Sequence, residues 1–179
     1  MKMNKILFFS GFLFLAWVLL DRNKKSGSGA IVIGDSQSPF IAKNSKTASL
    51  LSKTPGEQSL WMPGKNLSWL KKSVDNYSGP SAEKIFISIG TNGGFKVTDD
   101  IPGLIKSLKD KFPAASLFVV PGSWGWGNNK NVSEYQVAQY YNIFKRYGVF
   151  VIPSKIGMVS DPHQNLPIYK TIGNIIDTL

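Results

Sequence analysis

Five short apolar or β-branched runs alternate along this chain with five longer amphipathic stretches, and that alternation constrains the fold more than any other feature. The runs fall at 30–34, 59–62, 84–90, 116–121 and 149–153, each bounded by Gly, Pro or Ser, and are expected to be strands. Helical patterns fill the intervals at 38–53, 66–77, 97–112 and 132–147, and a last one closes the chain at 166–179. Within 97–112, Ile101, Leu104, Ile105 and Leu108 recur at helical spacing with charges between them. Strands that are apolar throughout have no side to give to water, so both faces of their sheet must be covered. The expectation is a three-layer α/β/α sandwich on a five-stranded parallel sheet, occupying 30–179.

The first 20 residues are different material. Lys2 and Lys5 precede fifteen mostly apolar residues, Ile6 to Leu20, and Asp21-Arg22-Asn23-Lys24-Lys25 follows. As a helix that run spans roughly 22 Å, short of a hydrocarbon core of about 30 Å. No small-x-small cleavage site follows it directly; Ser26 and Ser28 come only after the charged patch. The reading is an uncleaved membrane anchor over 1–20, with a cleaved signal or a buried core helix as the alternatives. Residues 21–29, with Ser26-Gly27-Ser28-Gly29, form a linker. Basic residues on both sides of the run leave the orientation open. The domain is expected outside the cytoplasm, periplasmic or at the cell surface, or else in a viral membrane.

The formal charge is +10. Five basic residues and one acidic residue lie in the first 25, leaving 16 basic and 10 acidic residues scattered over the remainder. Scattered cations describe a solvated basic surface, or one drawn to anionic headgroups or envelope polyanions beside a membrane segment. No basic-aromatic motif accompanies them, so no nucleic-acid partner is expected. One histidine, no cysteine and no paired ligands on a helix leave no metal site, and neither common phosphate-binding glycine pattern occurs, so no cofactor is expected.

In a parallel sheet, function collects where the strands end at their carboxyl edge. The first strand runs out at Gly34-Asp35-Ser36-Gln37-Ser38, which places a hydroxyl at the sheet edge ahead of a helix. The second ends in Trp61-Met62-Pro63-Gly64-Lys65-Asn66, where a glycine can bring a bare N–H to a ligand. The third ends in Gly90-Thr91-Asn92-Gly93-Gly94, and the loop after the fifth carries Asp161-Pro162-His163, with the chain's only histidine. Taken singly, each is ordinary: a helix cap, a turn glycine, a turn asparagine, a loop histidine. Together they supply what ester hydrolysis needs, a nucleophile with a base and donors for an oxyanion.

With those motifs in that order, residues 30–179 resemble the SGNH hydrolases, the GDSL-type esterases and lipases. The resemblance implies a flavodoxin-like sheet and a serine esterase mechanism. Ser36 would be the nucleophile and His163 the base, with Ser36 N–H, Gly64 N–H and the Asn92 amide forming the oxyanion hole. Two departures stand out. The family's late motif usually places Asp three residues before His, whereas Asp161 is two before and Ser160 takes the expected position. Gly93 stands where the family often has Asp. Asp161 is expected to orient the imidazole, with a backbone carbonyl as the alternative.

The stretch Pro121-Gly122-Ser123-Trp124-Gly125-Trp126 follows the fourth strand. Trp124 and Trp126 are expected either as an aromatic platform for a sugar ring or acyl chain, or as a hydrophobic flap packed on the domain. The functional expectation is a membrane-tethered serine esterase removing acyl, chiefly acetyl, groups from envelope or surface glycans, with lipid esters second. The competing readings are a non-catalytic membrane protein that keeps the hydrolase fold, as in a membrane-containing virus particle, and a flavodoxin-like nucleotide binder.

Overall fold

The computed structural model describes residues 28–179. The expected membrane helix over 1–20 and most of the linker lie outside the described residues, among which no helix is long and apolar enough to cross a membrane.

Five parallel strands form the sheet in the order β2-β1-β3-β4-β6: β1 (Ser28–Gly34), β2 (Ala48–Ser49), β3 (Ala82–Ser88), β4 (Ser116–Val119) and β6 (Phe150–Val151). A separate parallel pair, β5 (Ser123–Trp124) with β7 (Gly157–Met158), sits beyond it. The helices are α1 (Ser38–Lys43), α2 (Leu67–Asn76), α3 (Ile101–Lys111), α4 (Glu134–Arg146) and α5 (Pro167–Ile176).

Strand alternation divides the core into two layers. Ile31 and Ile33 of β1, Ile85 and Ile87 of β3, and Leu117 and Val119 of β4 meet α2, α3 and α4 on one face. Val32, Phe86 and Phe118, one residue out of phase, meet α1 and α5 on the other. Nearly all are fully buried, and at roughly 1.5–3 kcal/mol per large apolar side chain these layers are the main drive to fold.

Several expected boundaries move. The helix expected over 97–112 starts at Ile101 because the Asp100 carboxylate accepts Gly103 N–H at 2.9 Å and Pro102 occupies the first turn. The helix expected over 38–53 stops at Lys43. There the Asp177 carboxylate captures the Lys46 and Thr47 N–H groups at 2.8 and 3.1 Å and turns the chain into β2. The strand expected at 59–62 is a 3₁₀ turn (Glu57–Ser59) followed by one parallel bridge between Trp61 and Gly34. Leu60 has φ +57, which kinks the segment out of extended geometry. The second strand position is filled by β2, and 59–62 reaches only the carboxyl end of β1.

Candidate active site

The turn carrying Ser36 is set by a close approach of two backbones. Gly34 has φ +127, and a Cβ there would lie 1.8 Å from the Ser88 carbonyl oxygen. Its N–H donates to Leu60 O at 2.8 Å and its carbonyl accepts Met62 N–H at 3.0 Å, while Asp35 N–H donates to Ser88 O at 2.9 Å. The Asp35 carboxylate then accepts Gln37 N–H at 3.0 Å, rounding the turn beneath Ser36. Helix α1 takes Gln37 as its N-cap with no side-chain bond. The Ser36 hydroxyl is therefore not spent on capping.

It meets the histidine instead. Ser36 Oγ lies 2.9 Å from His163 Nε2, and His163 Nδ1 lies 3.1 Å from Asp161 Oδ1. The same carboxylate oxygen accepts His163 N–H at 2.9 Å. The carboxylate on Nδ1 selects the tautomer protonated there, which leaves Nε2 to accept the serine proton. The two-residue spacing works because Asp161 folds over Pro162 in a side-chain-closed turn and reaches backbone and ring together. Ser36 is 8% exposed, whereas the His163 and Asp161 side chains are 48% and 47% exposed. Ser36 lies at the floor and His163 stands at an open rim.

His163 is held by Trp126 and by groups that motif reading did not single out. The Tyr169 hydroxyl donates to Pro162 O at 2.6 Å, and the Tyr169 ring stacks on Phe40 with centroids 5.4 Å apart. The Trp126 ring meets His163 edge-on at 5.8 Å, and its indole N–H donates to Ser123 Oγ at 3.1 Å. Ser123 O accepts from Thr91 Oγ1 at 3.1 Å, and Gln37 Nε2 donates to Thr91 Oγ1 at 2.8 Å. A polar chain thus ties the residue after the nucleophile to the ring beside the base. The available signals were a buried-type Gln next to Ser36 and a Tyr six residues beyond His163; neither is distinctive without the fold.

Trp124 and Trp126 separate. Trp126 is partly exposed against His163, but Trp124 is 4% exposed, belongs to the core and lies under Lys155 Nζ at 5.3 Å. The expectation of a tryptophan pair as a platform is corrected for Trp124. Its ring joins the buried cluster that also holds Tyr140 and Tyr141.

The expected oxyanion donors lie on the loops flanking Ser36. Gly64 has φ +73, and neither its N–H nor that of Ser36 has a hydrogen-bond partner among the described residues. One N–H of the Asn92 amide donates to Lys65 O at 3.1 Å, fixing the two loops together and leaving the second N–H for another acceptor. Asn92 itself sits in a 3₁₀ turn, Thr91–Gly93, and the next turn is braced by Asn129 Nδ2 on Thr91 O at 2.6 Å.

Burial pushes the Asp35 carboxyl up to about 7, opposed by the Gln37 N–H and Ser88 hydroxyl bonds. Its second oxygen has no partner among the described residues. The group beneath the nucleophile is thus an acid that ionises only near neutrality, and below that it adds no negative charge next to Ser36. Among the described residues no three His, Asp or Glu side chains converge as metal ligands.

No protein-family model and no curated protein matches the chain. Among solved structures it is similar to a proposed lipolytic protein of the G-D-S-L family from Desulfitobacterium hafniense DCB-2. That match has 12% identity and a TM-score of 0.52, over 85% of this chain and 99% of that one. A candidate GDSL-like lipase from Bacteroides uniformis ATCC 8492 aligns at 17% identity and a TM-score of 0.42, over 83% of this chain and 93% of that one. At such identities the likeness is one of architecture. With strand order β2-β1-β3-β4-β6 and the Ser36 turn at the end of its first strand, the chain has the SGNH, or GDSL-type, hydrolase fold.

Proposed function

We propose that this chain is a serine ester hydrolase, tethered to a membrane by its first 20 residues, that removes acyl groups from glycans near that membrane. The observation that carries the reading is the continuous line Asp161 Oδ1, His163 Nδ1, His163 Nε2, Ser36 Oγ, with contacts of 3.1 and 2.9 Å.

His163 Nε2 takes the Ser36 proton as Oγ attacks the ester carbonyl. The tetrahedral oxyanion is received by Ser36 N–H, Gly64 N–H and the second Asn92 amide N–H. Collapse breaks the bond to the alcohol, which leaves with the proton from Nε2, and the acyl group remains on Ser36. Water, deprotonated by the same imidazole, then releases the acid and restores the hydroxyl. Asp161 holds the ring and stabilises the imidazolium. The half-exposed His163 and the adjoining Trp126 ring favour a small acyl group carried on a bulky polar alcohol, with the indole as a surface for a sugar ring.

The test is labelling of the full-length protein in detergent with a fluorophosphonate, alongside Ser36→Ala and His163→Ala, followed by release of acetate from acetylated glycans. Labelling lost in both variants is expected. No labelling of a folded wild-type protein would leave the fold as a scaffold for binding or assembly. Labelling with turnover of long-chain lipid esters alone would make it a lipid esterase.

A further inference from the structure

We infer that the amino edge of the sheet is a docking surface for an anionic phospholipid bilayer, which holds the domain upright with Ser36 on the far side. The inference rests on the tether proposed above and adds to it a face and an orientation. Because the strands are all parallel, they begin at one edge, and α1, α2, α3 and α4, which each lead into the next strand of the sheet, end there. Lys43 of α1, Lys109 and Lys111 of α3, and Lys145 and Arg146 of α4 lie in those last turns. Lys46 stands just ahead of β2, and all six are exposed.

The acidic groups on this edge are partly occupied. Asp75 pairs with Lys71 and Asp110 with Lys106, Asp177 is taken up by Ser45, Lys46 and Thr47, Asp99 and Asp100 border a cavity that Arg146 and Tyr147 also line, and Glu83 and the terminal carboxylate remain. Cations at helix ends also offset the helix dipole, but that role asks for no aromatic rings among them. Here Tyr147 and Phe150, 48% and 51% exposed, flank the α4 cations. A cavity of about 360 Å³ lined by Lys145, Gly148, Val149, Phe150 and Val151 opens beside them. Lysine and exposed aromatic side chains together suit the headgroup layer of a bilayer.

The chain outside the described residues points the same way. It joins β1 at Ser28, on this edge, and carries Arg22, Lys24 and Lys25 close to the junction. The seven residues from Asp21 to Gly27 reach at most about 25 Å, so an anchored domain cannot move its amino edge far from the surface. Ser36, His163 and Asp161 lie at the opposite edge, about 20 Å away along the length of β1. An ester buried among lipid tails is out of reach there, and one on a polymer standing above the bilayer is not.

The absence of cysteine allows single-site probes in the full chain. Tyr147→Cys or Phe150→Cys, and separately Lys130→Cys at the carboxyl edge, carry a fluorophore. Each protein is reconstituted into phosphatidylglycerol–phosphatidylcholine or pure phosphatidylcholine vesicles with a headgroup spin label. Quenching at 147 and 150 in anionic vesicles only, with none at 130, is expected. Lys145→Gln with Arg146→Gln should lower the docked-to-free ratio roughly twenty-five-fold, at about a factor of five per cation. No quenching at 147 and 150, or quenching at 130, overturns the proposal, as does duplex DNA binding to the same two cations without lipid quenching. Retention through an alkaline wash tests the tether separately. If the tether fails, flotation at low salt decides the docking face: anionic vesicles lifting the protein in a Lys145- and Arg146-dependent way keeps it, and no lifting removes it.

Discussion

Tyr169 donates its hydroxyl hydrogen to the carbonyl of Pro162 at 2.6 Å, one residue before the base. Tyr169 is fully buried in the α5 layer, so the exposed loop bearing His163 hangs from a core side chain. Tyr169→Phe keeps the ring and its stack on Phe40 but removes the donor. A loss of about 1–3 kcal/mol in stability is expected, from leaving a buried carbonyl unpaired. Turnover should fall with little change in KM, since the base is misplaced while the ester surface is intact. Denaturant melts and steady-state kinetics check both.

Asp161→Asn should preserve the fold but allow the wrong imidazole tautomer. In the serine triad template that change costs about 10⁴ in turnover. Because Asp161 is 47% exposed, water can replace part of its effect, and a loss of roughly 10²–10⁴ is expected in single-turnover acylation rates.

Removing one oxyanion donor costs about 10²–10³ in turnover, so Asn92→Ala should be that severe while Ser36 still labels, more slowly, with a fluorophosphonate. The same substitution frees Lys65 O and loosens the Gly64 loop. Asn92→Asp loses the same two donations and adds a negative charge facing the oxyanion, so it should be the worse variant.

Gly34→Ala should not give a folded protein. Its Cβ would meet the Ser88 carbonyl at 1.8 Å in a backbone conformation, φ +127, that alanine rarely adopts. Neither strand can yield, since β1 and β3 are both central. A loss of about 4 kcal/mol or more is expected, read as absent or strongly shifted thermal unfolding.

Asp35 sets a pH dependence of known sign. Its carboxyl ionises near 7 in the fold and at its ordinary 3.8 when unfolded, so the folded state holds the proton more tightly across that interval. Stability contributed by this group is present below pH 4 and is lost as pH rises through 7, on the order of a few kcal/mol. Asp35→Asn should flatten the profile between pH 4 and 7. Urea midpoints across that range check it, and equal slopes in both proteins would refute the assignment.

Much of the architecture was legible because the strands β1, β3 and β4 are long apolar runs and the helices α2, α3 and α4 carry regular stripes. What escaped reading depends on distant partners. Ala48–Ser49 has no apolar run of its own and becomes a strand only because Asp177, some 130 residues away, ends α1 and presents it to β1. Trp124 sits among glycines, and only the fold decides between platform and packed flap by placing its ring in the buried core. At the site, Ser36, His163 and Asn92 stood at strand ends and could be found from pattern. Asp161 was harder, since its two-residue spacing makes sense only in the turn it forms with His163 N–H. Gln37 and Thr91 act through partners 54 and 32 residues away, distances at which local pattern carries no information, and Tyr169 reaches Pro162 across a loop that has no regular spacing.

Ser36 stands just beyond the first strand of the sheet, and its proposed base, His163, arrives on the last loop, 127 residues later. Synthesis therefore completes every strand of the sheet before the hydroxyl has anything to receive its proton. A chain ending before His163 also lacks α5 and Asp177, so neither the second core layer nor β2 is complete in it. On the proposed mechanism, the order of residues along the chain is a built-in delay: Ser36 gains its proton acceptor only when the last segment has docked.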